Sequence, residues 1–178
     1  LPETVTEIGN CAFFRCSFLS GSLILPEGLV KIDTEAFREC RALTGELKMP
    51  STLQEIGRLA FWQAGFVCEL KFPDSLLHLG SGAFGGCSGL YGELRLPANL
   101  KTLGVNGGEG CFQGCNNLTG SLEIPQGVTT VPTSCFDGCW LGGTLTLHNG
   151  ITAIGENAFA NNRSEERRVG KECWCSCR

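Results

Sequence analysis

The chain has 178 residues, 42% hydrophobic and 18% charged, so it can build a core and is not a disordered polymer. The formal charge is −4, and the 162 residues before a cationic tail carry 15 acidic against 9 basic side chains. That balance argues against a nucleic-acid partner, which needs clustered Lys and Arg, and no stretch reaches the roughly 18 apolar residues of a membrane span.

Read from the start, an apolar strand runs into a turn seven times, and nearly every junction is marked by Pro. The marks are Leu1-Pro2, Leu25-Pro26, Met49-Pro50, Phe72-Pro73, Leu96-Pro97, Ile124-Pro125 and Leu147-His148, spaced by 24, 24, 23, 24, 28 and 23 residues. A fixed period of this length predicts a solenoid in which each coil buries its apolar face only against its neighbours. The segments Leu23–Leu25, Leu47–Met49, Leu70–Phe72, Leu94–Leu96, Leu122–Ile124 and Leu145–Leu147 read apolar, variable, apolar. That is period two, and it predicts parallel strands laid side by side and ended by the Pro that follows.

After each Pro come two aliphatic columns. One is Val5, Leu29, Leu53, Leu76, Leu100, Val128 and Ile151; the other is Ile8, Ile32, Ile56, Leu79, Leu103, Val131 and Ile154. A small residue and a Phe follow, the Phe column being Phe13, Phe37, Phe61, Phe84, Phe112, Phe136 and Phe159. Side chains repeated at one address per coil must stack into continuous buried ladders. The Ile-Gly-x-x-Ala-Phe stretch offers about two turns of possible helix and is often broken by Gly, so it reads as turns and short strand with little α-helix. The fifth unit carries four extra residues around Val105–Glu109, which predicts a bulging loop before Phe112; Asn106 and Glu109 are candidate binding residues there. Long surface insertions are thermodynamically cheap, so a plain tolerated loop is the competing reading.

The unit Cys-x-x-Leu-x-Gly-x-Leu-x-Leu-Pro-x-x-Leu-x-x-Ile-Gly-x-x-Ala-Phe resembles the BspA-like leucine-rich repeat, with clear copies from Cys16 to Phe37, Cys40 to Phe61 and Cys87 through Phe112. The resemblance spans residues 1–162 and implies a leucine-rich-repeat solenoid, mostly β and turns, of about seven units. It further implies a cell-surface or secreted protein of a bacterium or parasitic protist, adhering to a host protein or a glycan. The chain opens in the middle of a unit and is expected to be a fragment, uncapped at either end. Residues 163–178 leave the repeat register and are expected to be artefactual or disordered.

Of the 12 cysteines, nine lie in the repeats, most in columns that the pattern buries. Cys16, Cys40, Cys87, Cys115 and Cys139 share an address with Ala64 and Asn162, so the site is expected to need a small side chain and to hold reduced thiols. Two histidines, His78 and His148, at unlike addresses and without a paired nucleophile, predict no catalytic site. Neither a cofactor nor a metal is expected; the Cys-x-Cys-x-Cys of the tail lacks a second ligand cluster. Binding is expected on the outward strand positions. There Glu46, Glu69 and Glu93 form an acidic column beside the basic Lys48, Lys71 and Arg95, within longer columns running from Ser22 to Thr144 and from Ile24 to Thr146. The alternatives are a structural spacer array, with these charges serving solubility alone, and a cysteine-based metal or redox protein.

Overall fold

The computed structural model describes residues 1–105 and 108–162, leaving Asn106 and the tail from residue 163 outside the described residues. The described chain is a parallel β-solenoid without a helix. Its strands are β1 (Glu7–Ile8), β2 (Leu23–Ile24), β3 (Lys31–Ile32), β4 (Leu47–Lys48), β5 (Glu55–Ile56), β6 (His78–Gly80), β7 (Tyr91–Glu93), β8 (Thr102–Val105), β9 (Asn117–Thr119), β10 (Leu122–Glu123), β11 (Thr130–Val131), β12 (Leu145–Thr146) and β13 (Ala153–Ile154). Every pairing among them is parallel.

The longest sheet is not the one the Pro marks predict. It runs β1-β3-β5-β6-β8, along the Ile-Gly segments, in the register Ile8↔Ile32↔Ile56↔Leu79↔Leu103. Leu103 thus keeps its address despite the insertion. The four extra residues enter just beyond it, where the register shifts so that Gly80 faces Val105. The glycines of these segments allow the close stacking: a Cβ at Gly80 would fall 2.5 Å from the Gly57 carbonyl carbon.

Before the Pro marks, pairing is broken into pieces. β2 pairs β4 and β10 pairs β12, as the period-two pattern predicts. In the third and fourth units the pairing moves earlier, to β7 with β9 and a single bridge between Glu69 and Tyr91, and Leu70–Phe72 and Leu94–Leu96 lie outside any strand. The third unit is one residue shorter between its small residue Ala64 and Leu70, and Cys68 stands where other units place Gly. The shorter arc draws Phe66 fully into the core at the slot where neighbours carry Leu43 and Leu90, edge-on to Phe61 at 5.8 Å. Phe72 likewise turns edge-on to Phe84 at 5.6 Å.

The Phe ladder is continuous. Consecutive rings from Phe13 to Phe159 stack at centroid distances of 5.0, 5.4, 5.2, 5.9, 5.6 and 5.3 Å. The backbone of this turn arc is stitched coil to coil: the N–H of Phe37 donates to the Ala60 carbonyl, Phe61 to Ala83, Phe84 to Cys111 and Phe112 to Cys135. Two residues after each ladder Phe the chain takes a left-handed conformation, at Arg15, Glu39, Gln63, Gly86, Gly114, Gly138 and Asn161. The first three lack the glycine freedom for that conformation and are held there by hydrogen bonds to the following coil, from the N–H of Arg15 to the Arg38 carbonyl, Glu39 to Trp62 and Gln63 to Gly85.

Candidate functional site

The outward columns stand on the predicted face, and every member from Ser22 to Thr146 is exposed. Their charges pair within a coil, between residues i and i+2, rather than diagonally between coils. Lys48 Nζ lies 3.6 Å from Glu46, Lys71 Nζ 3.0 Å from Glu69, and Arg95 donates to one Glu93 oxygen through Nε at 3.0 Å and through an Nη at 2.7 Å. Two residues apart on extended chain, both side chains leave the same face, so the nearest countercharge is the intracoil one. The hydrogen bond that Lys71 donates to Glu69, and then the Glu69 charge, raise the Lys71 pKa, and Glu93 does the same for Arg95. Both cations stay fully charged. Their side chains are 80% and 81% exposed, so they project as the outermost groups of the face. A shallow depression lies between the third and fourth coils, lined by Glu69, Leu70, Lys71, Phe72, Glu93 and Arg95.

Two residues of this face were not singled out from the sequence. Val67 and Tyr91 are large, exposed and apolar, at the start of the third and fourth arcs next to Glu69 and Glu93. The signal was available in the alignment of units: the same slot holds Ser20, Thr44, Thr119 and Gly142 elsewhere. A second charged column also escaped notice. On the long sheet Glu7, Lys31, Glu55, His78 and Thr102 stand in register, with Lys31 Nζ 3.9, 3.7 and 3.6 Å from Glu7, Asp33 and Glu55.

The insertion behaves differently from a free loop. Glu109 returns over the fourth coil to Arg58 of the third, 2.5 Å away. It can do so because the fourth coil carries Gly82, Gly85 and Gly86 where the third carries Leu59, Trp62 and Gln63. A Cβ on Gly85 would lie 2.1 Å from the Trp62 ring, and one on Gly82 would lie 3.1 Å from both Trp62 and Glu109. Trp62 therefore covers a coil edge, and Glu109 straps it. Burial raises the Glu109 pKa, but the Arg58 hydrogen bond, a backbone donor and the charges of Arg58 and Arg38 outweigh it and hold the carboxyl below its ordinary value. Arg58 also faces Glu35 at 4.0 Å, and Glu35 pairs Arg38 at 3.1 Å, so the strap ends in a line of ion pairs along the turn edge.

The cysteine address does not simply select a small side chain. Cys40, Cys87, Cys115 and Cys139 each donate the S–H to the carbonyl of the ladder Phe one coil back, at 2.9, 3.0, 3.0 and 3.2 Å to Phe13, Phe61, Phe84 and Phe112. Asn162 does the same with its amide, 2.8 Å from the Phe136 carbonyl. At five of the seven units the address thus holds a short donor, which is what Cys and Asn share, while Ala64 fills it in the third unit with a small side chain alone. Burial pushes Cys87 and Cys139 up to about 12, which keeps them protonated donors. None of the nine repeat cysteines is bridged in this structure.

His78 Nδ1 meets the Thr102 hydroxyl at 2.9 Å, and His148 Nε2 lies 3.0 Å from the carbonyls of Pro125 and Val128. The histidine that replaces a turn Pro thus ties its coil to the one before. Among the described residues no group of three or more His, Cys, Asp or Glu could hold a metal ion, and no helix is long and apolar enough to cross a membrane.

Comparison with known proteins agrees with this geometry. The BspA type leucine rich repeat region matches residues 1–107 and 91–169 in six copies. A leucine-rich repeat protein from Bacteroides ovatus ATCC 8483 superposes with a TM-score of 0.75 at 28% identity, over 91% of this chain and 40% of its own. The T. pallidum leucine rich repeat protein gives 0.76 at 27% identity, over 96% of this chain and 77% of its own. This chain thus spans well under half the length of the B. ovatus protein. No curated protein matches it. With the repeat model covering most of the sequence and the coils built as its pattern requires, the chain belongs to the BspA-type leucine-rich repeat family.

Proposed function

We propose that this chain is a non-catalytic protein-interaction segment of a cell-surface or secreted protein, binding through the charged face of its second to fourth coils. One observation carries the reading. Glu46–Lys48, Glu69–Lys71 and Glu93–Arg95 repeat an exposed ion pair in three successive coils, with the large apolar Val67 and Tyr91 beside them. Exposed ion pairs add little to stability, so three in register favour a role outside folding. An aromatic beside projecting cations supplies the mixed anchor that protein interfaces favour, and an Arg or Lys already oriented by its Glu loses less freedom on docking. Of the insertion candidates, Glu109 is engaged internally with Arg58 and is not part of this face, and Asn106 lies outside the described residues.

The test compares the parent chain with a Lys48→Ala, Lys71→Ala, Arg95→Ala variant and with Tyr91→Ala for capture of extracellular-matrix and host-surface proteins. Loss of capture in both variants with unchanged folding supports this face. Equal capture by all three proteins removes it, and no capture by the parent chain favours the spacer reading.

A further inference from the structure

Immediately before the ladder Phe, five coils carry Ala12, Ala36, Ala60, Ala83 and Ala158, and the two remaining coils, which are neighbours, carry Cys111 and Cys135. Both are wholly enclosed. Their backbones lie side by side, the Phe112 N–H donating to the Cys135 carbonyl at 2.9 Å. Parallel neighbours of this kind stand about 4.8 Å apart. That lies inside the Cα separation of roughly 4.4–6.8 Å that a disulfide spans. The Cys111 side chain lies within interaction range of the Cys135 thiol. Room for the Cys111 sulfur depends on Gly104, where a Cβ would come within 2.9 Å of it.

This pair differs from the other cysteine column. Cys87, Cys115 and Cys139 aim their protons at Phe carbonyls at 3.0–3.2 Å, bonds that oxidation would remove, although each carbonyl keeps a backbone N–H partner. Cys111 also donates to a backbone carbonyl, that of Gly80, at 3.3 Å, the longest of these approaches.

We propose that Cys111 and Cys135 are the site of a disulfide that joins the fifth coil to the sixth, formed as the chain folds in the presence of a small-molecule disulfide such as oxidised glutathione. One protein thiolate attacks the small disulfide, giving a mixed disulfide and one small thiolate. The second protein thiolate attacks the protein sulfur of that adduct, the protein S–S bond forms, and the second small thiolate leaves. The two protein protons end on the two small thiols, and the protein pair gives up the two electrons that the small disulfide accepts. Burial pushes the Cys135 thiol well above its ordinary value and closes the pair to solvent. Oxidation therefore belongs to folding, before the sixth coil seats, and the finished bond is sheltered from reductant. It would fasten the coil that carries the insertion and the register shift to the regular coil after it.

The test uses the full chain, denatured and reduced, then refolded in a glutathione redox buffer and, in parallel, with excess reductant. Peptide mapping by mass spectrometry without reduction should find a Cys111–Cys135 peptide lighter by two hydrogens than the two thiol peptides together. The oxidised chain should show a higher thermal midpoint than the reduced one. Cys111→Ala with Cys135→Ala, which restores the residue of five other coils and should fold, should lose the difference between the two buffers. The proposal is overturned if both thiols alkylate fully after the oxidising refold. It is equally overturned if bridges form only among other cysteines, including Cys173, Cys175 and Cys177, or if the chain folds in the reducing buffer and fails in the oxidising one.

Discussion

The turn arc and the arc before the Pro marks are built from the same repeat and end up with different regularity. Along the turn arc seven Phe rings stack without interruption, each within 5.9 Å of the next, while backbone N–H groups bond the following coil. On the opposite arc the pairing is split among β2-β4, β7-β9 and β10-β12. The first arc buries large rings at a fixed address and cannot vary without opening a cavity. The second exposes every other side chain and tolerates a missing residue, an aromatic at a Thr slot and a change of charge. Stability is concentrated on one side and variation on the other, a division that suits a display protein.

The comparison is broken most severely at the ladder. Phe84→Ala should cost about 3–5 kcal/mol, the usual range for emptying a closed Phe site, measured as a shift of the urea midpoint at constant slope. A cost below that of an exposed-arc substitution would contradict the division. Asn162→Ala removes an amide that reaches the carbonyls of Phe136, Phe159 and Ala160 and accepts from the Leu141 N–H. It should cost about 1–2 kcal/mol, with Asn162→Cys recovering part of the loss if a donor is what the address requires.

Gly138→Ala isolates the left-handed turn. The nearest atom to a Cβ there is 3.7 Å away, so nothing clashes and the positive φ alone is tested. The expected cost is about 1 kcal/mol, the left-handed penalty less the entropy that Ala removes from the unfolded chain. Glu109→Gln should act mainly through pH. The folded-state pKa of Glu109 is depressed, so its contribution is complete above the ordinary carboxylate range and is lost as the pH falls through the depressed value. The variant should be less stable than the parent near neutrality and converge with it in acid; parallel pH profiles would show that the strap carries no weight. The smallest effect belongs to the proposed binding face, where replacing Lys48, Lys71 and Arg95 by Ala should leave the unfolding midpoint unmoved, because those side chains are exposed. A marked loss of stability would mean that the face serves folding after all.

Much of this was legible in the sequence because burial repeats. Ile32, Ile56, Phe37, Phe61 and the column of outward charges each follow from one residue type at one address. What was not legible depends on relations between coils. The left-handed backbone at Glu39 and Gln63 is imposed by neighbours and leaves no Gly or Asn to mark it. The donor role of Cys40 and Cys87 involves a carbonyl about 26 residues away. Phe66 and Phe72 needed a one-residue deletion to be weighed against side-chain volume. The pairing of Glu109 with Arg58 crosses an entire coil, and no local pattern announces it.

The glycine notch of the fourth coil has a consequence for how such an array can change. Repeat proteins lengthen and shorten by duplicating or losing whole units, which works when every unit offers its neighbours the same surface. Here the Trp62 ring rests where Gly82 and Gly85 leave space, and the Glu109 strap closes over it from the far side. Excising the fourth unit would seat Trp62 against the bulkier side of another coil and leave Glu109 without its span. Losing a repeat should therefore cost more within units three to five than in the coils outside them.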